Sequence, residues 1–318
     1  MPSIVEIQQE ADGAKKTLSK YMDAFSKRTG RHLIVYYSGF LFADGKTSID
    51  EDDMNGFMAA IYRMKDKKAK GLDLFLHTPG GSVAATEGIG DYLKSVFGGN
   101  VDCYVPHMAM SCGTLLAMSC RRIYMGKQSC LGPIDPAIGP FRTDAVVEEL
   151  DTAKAEIAKN ANLALYWQPI ISKYDPTFYG ECKKATDLAS IVAEKWLRDG
   201  MLGGRKDADE RLAKIKELFA SHQSSKAHDR HIPASQAREA GLDVSYIEDD
   251  EALQDAVMSI HHATVHFMKQ TGRAKVITNA RFVGLFTPAR YAHPLSIPPS
   301  RPAPAAGRLL FRRPPRRK

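Results

Sequence analysis

Apolar positions along the chain fall alternately into short runs and helical stripes. Ala11, Ala14, Leu18, Tyr21, Met22 and Phe25 recur at spacings of three and four, which predicts an opening amphipathic helix that needs a partner surface, either the body or another subunit. An apolar run over 32–37 follows, then a helical stretch over 53–64, a run over 72–76 and a helical stretch over 82–97. The alternation continues with 101–105, a helical stretch over 111–119 and a run over 123–125. Buried strands that alternate with helices predict parallel crossover units, hence an α/β fold whose sheet is covered by helices.

Beyond the turn-rich stretch LGPIDPAIGP the pattern becomes helical over 144–159, 181–198 and 207–220. A short strand-like piece over 241–246 precedes a helix over 251–269, in which Leu253, Ala256, Val257, Ile260, Thr264, Phe267 and Met268 share one face and His262 and His266 lie on the other. The stretch 288–318 holds eight of the 17 prolines and ends in RRPPRRK, so it reads as an irregular, disordered tail. The resulting organisation is an N-terminal helix over 1–30, a single domain over 31–285 and a basic, Pro-rich tail over 286–318. No solenoid-type repeat is present.

A chain of 318 residues with 44% hydrophobic and 25% charged residues can bury a sizeable core, which excludes a disordered or fibrous protein. Its net charge of +7 comes from the tail: residues 301–318 contain seven Lys or Arg and no acid, leaving 37 basic against 37 acidic residues in the body. A whole-protein electrostatic footprint for nucleic acid is thereby excluded, and any contact with anionic lipid or another polyanion is weak and confined to the tail. The five cysteines form no CxxC pair and lie mostly in apolar stretches, which fits a reducing compartment. The N-terminus lacks a charged-then-apolar signal layout, and the weakly polar run 108–120 is too short to span a membrane, so a cytoplasmic location is expected.

Two strand-to-helix junctions carry candidate chemistry. In LDLFLHTPGG a strand runs into Pro79, Gly80 and Gly81, which free the backbone to turn and to point N–H groups beside a helix start. In VDCYVPHMAMSCGTLLAMSC a strand leads through a turn into a helix opened by Ser111 and Cys112, at the sheet edge where open α/β folds place their sites. Ser111 alone also suits an ordinary N-cap. Taken together, the two junctions allow Ser111 Oγ to approach the N–H groups of Gly81 and Cys112, a nucleophile-plus-oxyanion arrangement suited to acyl transfer. His262 and His266 are four apart, as zinc ligands can be, and His222, His228 and His231 lie nearby in sequence. No HExxH pattern accompanies them, so no metal is expected.

The segments HTPGGSVAATEGI at 77–89, VPHMAMSCGTLLAM at 105–118 and MGKQSCLGPIDP at 125–136 resemble the serine dehydrogenase proteinase family, within the superfamily of the Clp protease subunit, signal peptide peptidase A and the crotonases. Weaker similarity runs through HDRHI, EAGLDV and DAVMSIHHAT, so the resemblance covers about 33–268. It implies a Clp/crotonase-type spiral of βα units with a parallel sheet, followed by helices. It also implies Ser111 as nucleophile, with the N–H groups of Gly81 and Cys112 as the oxyanion hole. Cys112 stands where the family pattern has alanine or glycine, and its thiol raises an expectation of sensitivity to thiol reagents.

The general base is open at this stage. Where the Clp branch has a histidine about 25 residues after the nucleophile, this chain has GPIDP with Asp135. The signal peptide peptidase pattern implies a lysine from a later helix start, for which Lys183 comes first, then Lys184 and Lys173, with His107 as an alternative. The implied activity is that of a serine endopeptidase of the Ser-Lys type, cleaving peptides or unfolded polypeptides as a homo-oligomer without a cofactor. The alternatives are a crotonase-like acyl-CoA enzyme and a catalytically inactive oligomeric scaffold of the same fold.

Overall fold

A computed structural model describes residues 13–139, 141–220 and 230–289. The expectations for the opening helix before residue 13 and for the tail from residue 290 lie outside these residues. The chain-order strands are β1 His32–Ser38, β2 Leu72–His77, β3 Val101–Val105, β4 Met108–Ala109, β5 Arg122–Met125 and β6 Cys130–Leu131. They continue with β7 Ala137–Ile138, β8 Phe141–Arg142, β9 Ile232–Pro233, β10 Val244–Tyr246, β11 Arg273–Asn279 and β12 Gly284–Pro288. The main sheet runs β10-β5-β3-β2-β1-β11-β12, parallel from β10 to β1 and antiparallel at β11 and β12. The fold is thus a mixed α/β architecture around a mostly parallel sheet.

Alternation along β1 and β2 divides the core between the two sheet faces. Ile34, Tyr36, Leu72, Leu74 and Leu76 pack with Ile89 and Leu93 of helix Val83–Phe97, Leu115 of helix Cys112–Met118 and Trp196 of helix Phe178–Asp199. Leu33, Val35, Tyr37 and Phe75 pack on the other face with Leu18 and Phe25 of helix Ala14–Thr29 and with Val257 and Ile260 of helix Glu251–Thr271. The rings of Phe25 and Phe75 meet edge to face at 5.0 Å. The opening helix therefore has the body of its own chain as its partner surface.

Two features depart from the sequence pattern. The antiparallel strands β11 and β12 occupy a stretch that carries no clear period, because Lys275 sits at an inward position between Ala274 and Val276 and hides the alternation. His266, expected on the polar face of its helix, is buried.

Candidate active site

Beyond β2 the chain continues the sheet edge through Thr78, whose N–H donates to Met108 O at 3.1 Å and whose carbonyl accepts from Met110 N at 3.0 Å. The turn then passes through Gly80, at φ 95°, into helix Val83–Phe97, capped by Ser82 Oγ accepting from Ala85 N at 3.1 Å. A Cβ on Gly80 would stand 2.7 Å from Met110 O, 2.8 Å from Ser111 Cβ and 2.9 Å from Cys112 N. The absence of a side chain there lets the two junctions touch. Gly81 is backed by Ile49: Ile49 N donates to Gly80 O at 2.8 Å and Ser82 N to Ile49 O at 2.9 Å. The Gly81 N–H takes part in neither bond.

Ser111 adopts φ 50° and ψ −120°. Asp66 and Thr177 also have positive φ, but in the left-handed helical region; Ser111 lies outside it. Such a backbone costs an L-residue about 1–3 kcal/mol. A capping serine is extended, with its oxygen turned onto the first helical turn; Ser111 precedes helix Cys112–Met118 but makes no side-chain cap bond. The plain N-cap role is thereby overturned, and Ser111 is left half-buried beside a buried helix. As the first residue of that helix, Cys112 presents an N–H with no intrahelical partner.

The Cys112 thiol donates to Gly81 O at 3.0 Å, so it ties the glycine turn to the serine helix. Burial pushes that thiol up from its ordinary pKa, which keeps it protonated and runs against the expected sensitivity to thiol reagents. Thr114 Oγ1 donates to Ala109 O at 2.7 Å and accepts from Gly132 N at 2.8 Å, fastening the GPIDP loop behind the site. Asp135 in that loop is buried and pairs with Arg142 Nη2 at 3.0 Å.

Lys183 lies on the exposed side of helix Phe178–Asp199, as does Lys184, and Lys173 is exposed as well. Within the single chain none has the burial that would turn an ammonium into a base, and no hydrogen bond joins any of them to Ser111 among the described residues. His107 stacks on His77 with centroids 5.4 Å apart and 14° between planes, and His261 stands 5.8 and 6.0 Å from the two. Tyr37 Oη is 3.2 Å from His261 Nδ1. Burial, assisted by the neighbouring His107 ring, holds His77 down to about 3, and burial also lowers His107 and takes His261 well below its usual value. The trio is a packed neutral imidazole cluster on the sheet face covered by helix Glu251–Thr271. Of the suggested zinc residues, His222 and His228 lie outside the described residues, and among those described no three His, Cys, Asp or Glu side chains are placed to hold a metal.

One charged group near the site escaped the sequence reading. Lys275, 1% exposed, reaches Asp53 Oδ1 at 2.5 Å, Asp50 Oδ2 at 3.3 Å and Ser48 O at 2.8 Å. Tyr36 Oη donates to Asp53 Oδ2 at 2.7 Å. Reading 273–279 as a strand with an inward lysine would have found it.

Among the described residues no helix is long and apolar enough to cross a membrane. A family model described as ClpP-like SDH-type serine proteinase matches residues 47–255. An uncharacterized protein of Methanocaldococcus jannaschii is 30% identical over 177 residues, 56% of this chain and 54% of that protein. A second from the same organism is 29% identical over 174 residues, covering 55% and 52%. The chain spans about half the length of these curated relatives.

Proposed function

Since the chain belongs to the ClpP-like SDH-type serine proteinase family, we propose that it is a serine endopeptidase acting through an acyl-enzyme at Ser111. The observation that carries this reading is the strained backbone of Ser111, with an uncapped hydroxyl, packed directly on Gly80. In the proposed reaction Ser111 Oγ adds to the scissile carbonyl as its proton passes to a base. The N–H groups of Gly81 and Cys112 hold the resulting oxyanion. Collapse expels the amine, which takes the proton, and water then repeats the cycle on the ester.

Lys183 is the base in this reading, and because it is exposed in the single chain, it acts only in a homo-oligomer whose second copy covers it. Substrates are peptides or unfolded polypeptides that reach an enclosed site.

Intact-mass labelling with a fluorophosphonate tests the reading: one adduct, lost in Ser111→Ala, is expected. No adduct from neutral to alkaline pH would overturn it, and turnover of acyl-CoA thioesters by the unlabelled protein would point to enolate chemistry instead.

A further inference from the structure

The oxyanion turn does not stand alone at the sheet edge. Its outer flank is Ile49, and the peptide joining Gly80 to Gly81 is pinned by the bond from Ile49 N to Gly80 O at 2.8 Å. The described residues contain no cis peptide. In a trans peptide the carbonyl and the following N–H point in opposite directions. Holding Gly80 C=O toward Ile49 therefore aims the Gly81 N–H away from it. The return bond from Ser82 N to Ile49 O at 2.9 Å prevents the turn from rocking about that single tie. A Cβ on Gly81 would lie 2.3 Å from Ile49 O, so the two backbones are in full contact.

What holds Ile49 is a buried cation. Ser48 and Asp50, its two chain neighbours, are both bound by Lys275 Nζ, through the Ser48 carbonyl at 2.8 Å and the Asp50 carboxylate at 3.3 Å. Asp53, at 2.5 Å from the same nitrogen, also accepts from Asp50 N at 3.1 Å and from Tyr36 Oη at 2.7 Å. The segment 48–53 is thus folded around one ammonium on β11. That strand lies beyond the family-matched segment 47–255.

We propose that Lys275 is a positioning residue for catalysis: it clamps segment 48–50, which through Ile49 fixes the direction of the Gly81 N–H toward the oxyanion. This inference rests on the peptidase reading. It acts through the backbone, so Lys275 touches no substrate.

The test compares wild type with Lys275→Met, which keeps the length of the side chain, and with Asp50→Asn, which weakens the more exposed carboxylate and spares the core. Hydrolysis of a peptide ester and amide hydrogen exchange over 47–53 and 78–82 are measured in full-length protein whose circular dichroism is native. Misaiming one oxyanion donor lowers kcat about 10²-fold, so Lys275→Met is expected to lose about that much with KM unchanged. Asp50→Asn is expected to lose several-fold, and exchange is expected to quicken at 78–82 as well as at 47–53. A purely structural lysine would leave kcat intact in folded protein, and unaltered kcat or unaltered exchange at 78–82 in folded Asp50→Asn and Lys275→Met would overturn the proposal. If wild type forms no fluorophosphonate adduct, the peptidase reading fails, and the positioning role fails with it even where exchange responds.

Discussion

Replacing Ser111 by glycine and, separately, by alanine distinguishes a strained nucleophile from a helix cap. A capping serine loses about 1 kcal/mol on conversion to alanine and only a few tenths on conversion to glycine. Ser111 makes no cap bond and sits at φ 50°, ψ −120°, so different values follow. Alanine keeps the Cβ and the strain and forfeits no cap bond, which puts its stability close to wild type. Glycine relieves strain worth about 1–3 kcal/mol. Against this stands the extra backbone freedom of the unfolded glycine chain, about 0.5–1 kcal/mol. The net gain expected for Ser111→Gly is thus about 0–2.5 kcal/mol, centred near 1 kcal/mol, over both wild type and Ser111→Ala. In a protein of this size that raises Tm by a few degrees, on the order of 2–4 °C per kcal/mol. Urea unfolding at one fixed protomer concentration reads the difference with the contribution of assembly held constant. A Ser111→Ala variant about 1 kcal/mol below wild type, with glycine no better than wild type, would refute the strain argument. Both variants should fail to react with fluorophosphonate.

Four further outcomes are expected. Gly80→Ala places a Cβ 2.7 Å from Met110 O and 2.8 Å from Ser111 Cβ at φ 95°, and its combined clash and strain should cost about 2–4 kcal/mol in denaturant unfolding and abolish labelling of Ser111; a variant with wild-type stability would contradict the close packing. His77 titrates at about 3 in the folded chain against 6.5 for an ordinary imidazole, so the unfolded chain takes up the extra proton: stability is full above about pH 6.5 and falls as pH drops toward 3, with a slope approaching about 1.4 kcal/mol per pH unit for each such histidine. His77→Phe should flatten the urea midpoint between pH 6.5 and 5, and an unchanged slope would exclude His77 as the source. All five cysteines are buried and free, so native protein should resist iodoacetamide at neutral pH and take five adducts once unfolded; rapid alkylation of Cys112 in native protein would refute the view that burial keeps its thiol protonated. On the proposed Ser-Lys reading, Lys183→Ala should stop peptide turnover while Lys184→Ala retains it, and full activity of Lys183→Ala in a peptide assay would remove Lys183 as the base.

The sheet, its parallel character and the helices that cover it were legible because buried parallel strands read as near-continuous apolar runs, and 72–76 and 101–105 are such strands, each interrupted by one buried aspartate. The meeting of the two junctions was legible in outline, through glycines after one strand and a serine after the next. The conformation of Ser111 was not, since a serine at a helix start looks the same in sequence whether it caps or is strained. The role of Gly80 as the contact with Ser111, and of Ile49 as the backing of Gly81, also stayed hidden. Both arise from pairings between segments about 30 residues apart that no local period records. Lys275 escaped for a related reason: its partners lie more than 200 residues earlier in the chain, and a charge within a short strand disguises the alternation that would reveal it.

A cluster of local rule-breaking coincides with the candidate site. Some helices obey ordinary capping chemistry: Ser82 and Asp250 accept from the first turns of their helices, and Gly30, Gly98 and Gly272 close helices in the left-handed conformation. Around the C-terminal ends of β1, β2 and β3 the rules fail together. There Ser111 is strained and uncapped, His77 keeps a buried Nδ1 with no hydrogen-bond partner among the described residues, and Lys275 is an ammonium inside the core. Each departure costs free energy that a fold selected for stability alone would shed. Other exceptions are scattered, Asp66 at φ 53° and Thr177 at φ 81° among them, whereas these three meet at one edge, where parallel α/β sheets place their chemistry. A single structural demand accounts for their meeting, since a serine, a glycine turn and its backing segment are held there in a geometry that none of them would adopt alone.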